Sequence, residues 1–212
     1  MLKREGILFC ICGPAGVGKS TVARYLVENY SEVEFSVSAT SRPPRKGESD
    51  GVDYHFMSRE EFERRISEGD FFEYEEVHGN YYGTLKSSVE GAITAGTDLL
   101  LDIDIKGALT FKRKKPDNTV IVFMVPPSLK ELISRIKYRG SISDEELSRR
   151  LKTLEEEYRI LFDLGKENID YLVVNAELSE TCDLVSYIFQ AERMKLKRLE
   201  RASIKAFLGD LS

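Results

Sequence analysis

The stretch that decides the fold runs Gly6-Ile7-Leu8-Phe9-Cys10-Ile11-Cys12, then Gly13-Pro14-Ala15-Gly16-Val17-Gly18-Lys19-Ser20, then Thr21-Val22-Ala23-Arg24-Tyr25-Leu26-Val27. Its first part is a short continuous apolar run, suited to a strand buried on both faces. Its last part has helical periodicity. Between them lies a complete G-x-x-x-x-G-K-[ST] motif. Glycines there let the backbone wrap, so that several N–H groups converge on phosphate oxygens at a helix N-terminus. Lys19 reaches β- and γ-phosphates as a point charge, and the Ser20 hydroxyl is placed to ligate Mg²⁺. The strand–turn–helix setting separates this motif from a mere glycine-rich turn.

Outward from this P-loop, buried strands are expected at 98–104, 119–125 and 171–174, separated mostly by helical patterns. That alternation predicts a parallel α/β sheet flanked by helices, the P-loop NTPase architecture. Asp102 ends an apolar run, where a P-loop enzyme places its metal-side carboxylate, and Asp104 shares its strand face. Two stretches break the alternation. Residues near 36–90 read as a polar, mixed α/β insertion, with Val33-Glu34-Phe35-Ser36-Val37-Ser38 and Phe71-Phe72-Glu73-Tyr74 as its β segments. Residues 128–160 are charged and helical, split by Gly140-Ser141-Ile142-Ser143-Asp144, with Ser143 as N-cap and Glu146 three residues on. Such a hairpin suits a lid. The expected plan is one domain over 1–212: core 1–37, 91–127 and 161–212, insertion 38–90, lid 128–160.

Composition narrows the function. Lys and Arg number 31 against 36 Asp and Glu in 212 residues, a net charge of −5. That balance argues against a nucleic-acid or anionic-membrane partner. The opening apolar run is too short to span a bilayer and lacks a signal-cleavage pattern, which points to the cytoplasm. Cys10, Cys12 and Cys182 form neither a disulfide framework nor a zinc set, and read as buried thiols. The C-terminal run Arg193, Lys195, Lys197, Arg198, Arg201 and Lys205 reads as the solvated face of a basic helix. Leu184, Val185, Ile188 and Phe189 read as a core stripe.

A second anion site is visible in Ser38-Ala39-Thr40-Ser41-Arg42-Pro43-Pro44-Arg45-Lys46-Gly47-Glu48. Arginine suits bidentate contacts to phosphate, and the prolines stiffen the segment. Asp53-Tyr54-His55-Phe56 and Gly79-Asn80-Tyr81-Tyr82-Gly83-Thr84 add phenolic hydroxyls near glycines. Glu73 lies in an apolar run, where an unpaired carboxylate is costly to bury. A base with adjacent N–H donors would satisfy it, and guanine has such an edge whereas adenine offers only its amino group.

The ordered set S-x-T-x-R-x-x-R-x-G-E, G-x-D-Y-x-F, F-x-E, G-x-Y-Y-G and L-D-I-D stands at 38–48, 51–56, 71–73, 79–83 and 101–104. On these motifs the chain resembles the guanylate kinase family, from the P-loop to the lid. The resemblance implies transfer of the ATP γ-phosphoryl group to GMP, with Mg²⁺ as cofactor and ATP and GMP as partners. It implies that Gly13 to Thr21 and Asn175 hold ATP, with Ser20 and Asp102 at the metal. Arg42, Arg45, Tyr54 and Tyr82 would hold the GMP phosphate, with Ser38 nearby. Glu73, Ser38, Thr84 and Asp104 would read the guanine edge, with Asp102 beside them. Lys19, Arg42 and the lid arginines Arg135, Arg139 and Arg150 would neutralise the transferring group.

The chain departs from that pattern at Lys106, where many relatives carry Gln, at Arg139-Gly140-Ser141 in place of R-G-T, and at Thr84 in place of a frequent Ser. Two other readings stay open at this point. One is a guanylate-kinase-like protein-interaction module, which the intact P-loop weighs against. The other is a related P-loop kinase of a phosphorylated ribose. Oligomeric state is undecided, and His55 and His78 read as packing or surface residues.

Overall fold

A computed structural model describes residues 3–77, 79–138 and 143–209, without the side chains of Asp144, Phe207 and Leu208. Its elements begin β1 (Leu8–Cys12), α1 (Lys19–Asn29), β2 (Val33–Phe35), β3 (Ala39–Thr40), β4 (His55–Phe56), α2 (Arg59–Glu68), β5 (Phe71–Val77) and β6 (Asn80–Leu85). They continue with α3 (Lys86–Ala95), β7 (Asp98–Asp102), α4 (Ile105–Lys114), β8 (Thr119–Val125), α5 (Leu129–Tyr138), α6 (Asp144–Asn168), β9 (Tyr171–Val174), α7 (Leu178–Arg193) and α8 (Arg201–Leu208). The core sheet has the order β2-β7-β1-β8-β9, all parallel, and a smaller mixed sheet has the order β4-β3-β6-β5. The chain is therefore α/β, with a central parallel sheet flanked by helices.

β1 shows why an unbroken apolar run is needed at the sheet centre. Phe9 and Ile11 enter the layer under α1 and α7, while Leu8, Cys10 and Cys12 enter the layer under α3 and α4. Every residue of β1 is buried, and no face is left for a polar side chain. All three cysteines are free and buried, as their spacing suggests. The Ser143 cap also forms, accepting a hydrogen bond from Glu146 N at 3.2 Å. Among the described residues no helix is long and apolar enough to cross a membrane.

Three local expectations are revised. Val33–Phe35, read above as a β segment of the insertion, is an edge strand of the core sheet paired in parallel with β7, on the core side of the expected boundary at 37. Leu184 is half-exposed, whereas Val185 and Phe189 are fully buried. The C-terminal basic run is not one solvated helix. It breaks after Arg193 and again around a 3-10 turn at Leu196–Arg198, because two of its arginines turn inward. Arg198 Nη2 donates to Glu192 Oε2 at 2.8 Å, with both side chains buried.

Arg193 Nε donates to Asp98 Oδ2 at 2.6 Å. Asp98 is fully buried and also accepts from Arg4 Nη2 at 2.8 Å and Ile7 N at 2.9 Å. This carboxylate ties the segment before β1 and the last residue of α7 to the first residue of β7. Truncating one partner of a buried, charged hydrogen bond leaves the rest under-satisfied. We expect Arg193→Gln to lower the unfolding free energy by about 2 kcal/mol, measured by urea denaturation. A midpoint within error of the parent protein would exclude a structural role for the contact.

Candidate functional site

The parallel register sets Ile11 opposite Asp102, so the end of β7 stands beside the loop that leaves β1. That loop turns through Gly13, Gly16 and Gly18, with φ of 131°, 87° and 105°. A Cβ at Gly13 would lie 2.2 Å from the Met124 carbonyl oxygen, so only glycine fits against β8. α1 starts at Lys19 with no side-chain cap hydrogen bond and no acidic residue in its first turn. Its leading amides are thus free of a side-chain acceptor and point where an anion would sit.

Lys19 Nζ donates to the carbonyl of Gly13 at 2.8 Å and to that of Pro14 at 3.4 Å, and lies 3.8 Å from Asp102 Oδ1. Ser20 Oγ donates to Asp102 Oδ2 at 2.6 Å. A hydroxyl and a carboxylate at this spacing form an all-oxygen pair, the donor chemistry that suits Mg²⁺. No cluster of three or more acidic, His or Cys ligands exists among the described residues. Such a pair fits a metal that brings phosphate oxygens with it, rather than one caged by protein alone.

Two hollows flank the loop. The smaller, about 470 Å³, is bordered by Gly16, Val17, Gly18, Thr21, Arg135 and the segment Asn175–Leu178. Asn175 braces this side: its Nδ2 donates to Val17 O at 2.6 Å, and its Oδ1 accepts from Thr181 Oγ1 at 2.9 Å. The side chain is thereby spent on the P-loop's shape. Arg135 donates to the carbonyls of Asn175 and Ala176 at 3.0 and 3.2 Å and to Glu131 at 3.0 Å. It therefore borders the smaller hollow and not the main cleft.

The larger cleft, about 890 Å³, brings together Lys19, Ser38, Arg45, Tyr54, Glu73, Tyr82, Asp102, Asp104 and Arg150. Arg150 reaches it from α6, paired with Glu146 at 2.6 Å. Arg139 and His78 lie outside the described residues. Arg42 stands just behind the cleft wall. Its guanidinium makes a two-pronged pair with Glu48, at 3.0 and 2.9 Å, and lies 5.4 Å from the Tyr54 ring centroid. The Glu48 contact raises the Arg42 pKa and lowers that of Glu48. Glu48 also accepts from Arg45 N at 2.6 Å, so one carboxylate fixes the spacing of both arginines.

Glu73 and Thr84 face each other across β5 and β6, and Thr84 Oγ1 donates to Glu73 Oε1 at 2.7 Å. Burial pushes the Glu73 carboxyl up to about 7, against the Thr84 hydrogen bonds that favour its charge. A Cβ added at Gly107 would lie 3.3 Å from Glu73 Oε2 and 3.5 Å from Asp104 Oδ1. The bare glycine keeps both carboxylates open on that side. Asp104 caps α4, accepting from Gly107 N at 2.8 Å through one oxygen.

Lys106, one of the departures from the family pattern noted above, does not turn towards Asp102. Its Nζ donates to Glu75 Oε1 at 3.0 Å, which raises its pKa and links α4 to β5. Sequence reasoning assigned no role to Glu48, Glu75, Gly107 or Glu157. Glu48 was within reach, since its place in the S-x-T-x-R-x-x-R-x-G-E motif singled it out. Glu157 sits in the run Glu155-Glu156-Glu157, where no spacing distinguishes one carboxylate from the next.

Three comparisons agree with this geometry. The guanylate kinase family model matches residues 6–192. A guanylate kinase of Clostridium perfringens strain SM101 is 44% identical over 196 residues, covering 92% of this chain and 88% of the relative. One from Chlorobaculum tepidum is 48% identical over 182 residues, covering 86% of this chain and 91% of the relative. The crystal structure of guanylate kinase from Anaplasma phagocytophilum superposes with a TM-score of 0.79 at 35% identity, covering 100% of this chain and 97% of that one. A P-loop facing a second basic pocket, in a chain matched almost end to end, leaves one conclusion: the chain belongs to the guanylate kinase family.

Proposed function

We propose that the chain transfers the γ-phosphoryl group of ATP to GMP, and to dGMP, giving ADP and GDP or dGDP. One observation carries this reading. A single cleft holds Lys19 of the P-loop on one side and, on the other, Arg45, Tyr54 and Tyr82 beside a largely buried carboxylate, Glu73, that still borders the cleft. Two anion sites with a purine-reading acid between them suit two nucleotides, one of them guanine-bearing.

The residues divide the work as follows. The loop 13–21, through its backbone N–H groups other than at Pro14, and Lys19 hold the ATP phosphates, and the smaller hollow by Thr21 and Asn175 takes the adenosine end. Arg42, Arg45, Tyr54 and Tyr82, with Ser38, hold the GMP phosphate, while Glu73, Thr84 and Asp104, with Asp102 alongside, receive the guanine edge. An oxygen of that phosphate attacks Pγ in line, the bond from Pγ to the bridging oxygen breaks, and ADP leaves with the electron pair. A phosphate oxygen is already nucleophilic near neutral pH, so no side chain needs to act as general base. Lys19, Arg42, Arg139 and Arg150 neutralise charge on the transferring group, Arg135 joins them only as lid closure draws it from the smaller hollow, and closure of lid and insertion around the cleft excludes water. Ser20 and Asp102 would hold Mg²⁺, which when bound supplies charge neutralisation on the β- and γ-phosphates.

The proposed division is core 1–37, 91–127 and 161–212, GMP-binding region 38–90 and lid 128–160. The second sheet and α2 support it, because they fall within the GMP-binding region. A role in purine nucleotide supply, a cytoplasmic setting and the absence of nucleic-acid or membrane partners belong to the same proposal. Net acidity and three unpaired thiols support them.

The test is a panel of GMP, dGMP, AMP, UMP and ribose bisphosphate with ATP, read as ADP release. GMP should exceed AMP in kcat/KM by about 10³-fold or more, since a site built for two N–H donors is left unpaired by adenine. Turnover of ribose bisphosphate without GMP turnover would instead support a sugar kinase. The absence of ADP release with every acceptor on the panel would leave a protein-interaction module.

A further inference from the structure

Glu157 is a carboxylate that the mechanism above does not use. It lies on α6, borders the same cleft as Lys19, and is only 9% exposed. Its Oε2 is buried with no hydrogen-bond partner among the described residues. Leaving such an oxygen unpaired costs stability, so a fold keeps it where a partner arrives later.

Its neighbourhood identifies the partner. Burial pushes the carboxyl up to about 7, and the charges acting on it are first Lys19, which draws it down, and then Asp104, which pushes it up. Apart from burial, the charges felt by the Cys12 thiol are in order Lys19, Glu157, Asp104 and Asp102. Glu157 and Lys19 therefore line one cleft, and Lys19 is the cation whose charge acts on Glu157 most strongly.

Its place along α6 matters as much. N-terminal to it, Leu147, Leu151 and Leu154 pack with Leu132 and Ile136 of α5. C-terminal to it, Ile160 and Leu161 pack on the core sheet. Glu157 thus marks the point where α6 passes from lid to core.

We infer that Glu157 is a positioning residue for Lys19, receiving one N–H of its ammonium when ATP phosphates draw that lysine off the Gly13 and Pro14 carbonyls. An ammonium has three donors. In the free protein two go to the loop's own carbonyls, which stand where the phosphates must enter. With phosphates bound, those carbonyls are left behind, and Glu157 holds the cation from the lid side. Lid position and lysine placement are thereby joined through one contact.

The test is a double-mutant cycle on ADP binding, measured by titration calorimetry in EDTA so that no metal takes part. Glu157→Gln should weaken ADP roughly tenfold, the effect of losing one charge-assisted hydrogen bond. In a Lys19→Met background the same change should alter ADP affinity less than twofold. Equal losses in both backgrounds, or none in the parent protein, would overturn the inference. Should Lys19→Met bind ADP too weakly to titrate, the Lys19 ammonium nitrogen resonance of the ADP-saturated protein decides. A shift of that resonance in Glu157→Gln supports the contact, and an unmoved one refutes it. Thermal unfolding of free Glu157→Gln at or above the parent midpoint is also expected, since an unpaired buried charge is gone.

Discussion

Lys19→Met should lower kcat/KM for phosphoryl transfer by about 10³-fold or more while leaving GMP affinity within about twofold of the parent. The size follows from where the charge acts. A cation on the transferring phosphoryl group works in a cleft from which water is excluded, and there one charge is worth about 10³ to 10⁵ in rate. Methionine keeps the length of the lysine stem and a good helix former at the first position of α1. The fold loses two contacts from Nζ to the Gly13 and Pro14 carbonyls and a weaker pairing with Asp102 at 3.8 Å. These are partly solvated, and the stability cost should be about 1 kcal/mol. GMP affinity is the control, because Arg45 and Tyr54 lie in the β3–β4 connection, Glu73 on β5 and Tyr82 on β6, all away from the P-loop in the chain. Steady-state ADP release and equilibrium GMP binding measured on one preparation check both halves. Turnover within tenfold of the parent would remove Lys19 from the chemistry and leave charge neutralisation to the arginines of the cleft.

The P-loop was legible in the sequence because every part of it is local. Strand, turn and helix N-terminus are contiguous, and their geometry follows from glycine φ angles and an unbroken apolar run. Glu73 was legible for the opposite reason, being a residue whose type conflicts with its apolar neighbours. Such conflicts mark functional positions. What could not be read was set by long-range pairing. Val33–Phe35 looks like the opening of a polar insertion until β7 pairs with it. Arg193 and Arg198 look like surface charge until Asp98 and Glu192 reach them. Arg42 looks free to grip phosphate, yet Glu48 holds it in a two-pronged pair. Motif order shows which residues share a site, but not which of them are already bonded to one another. The same limit hid Glu157, whose distinction from Glu155 and Glu156 is burial against the cleft and nothing in its spacing.

Glu73→Gln should weaken guanine recognition by about 10²-fold or more and remove its pH dependence near neutrality. The carboxylate has two acceptor oxygens, and Thr84 uses one of them at 2.7 Å. Guanine presents two adjacent N–H groups, both donors. A carboxylate can receive both, whereas a glutamine amide offers one acceptor and turns its own N–H₂ against the other donor. The pH effect follows from burial, which places the free Glu73 carboxyl at about 7, above the ordinary carboxylate value of 4.5. Raised in the fold, this group adds stability to the free protein that is complete below pH 4.5 and is lost as pH rises through 7. Guanine reverses the preference, since two donors favour the ionised form and so lower the pKa in the complex. Binding then releases a proton, and affinity falls as pH drops below 7, by up to about tenfold per unit. Guanosine is the ligand to titrate, because it lacks the phosphate of GMP, which has its own pKa near 6. For the parent protein, the dissociation constant should rise steadily from pH 7.5 to 5.5. For Glu73→Gln it should be weaker throughout and flat, and a parallel slope in both proteins would assign the proton to another group.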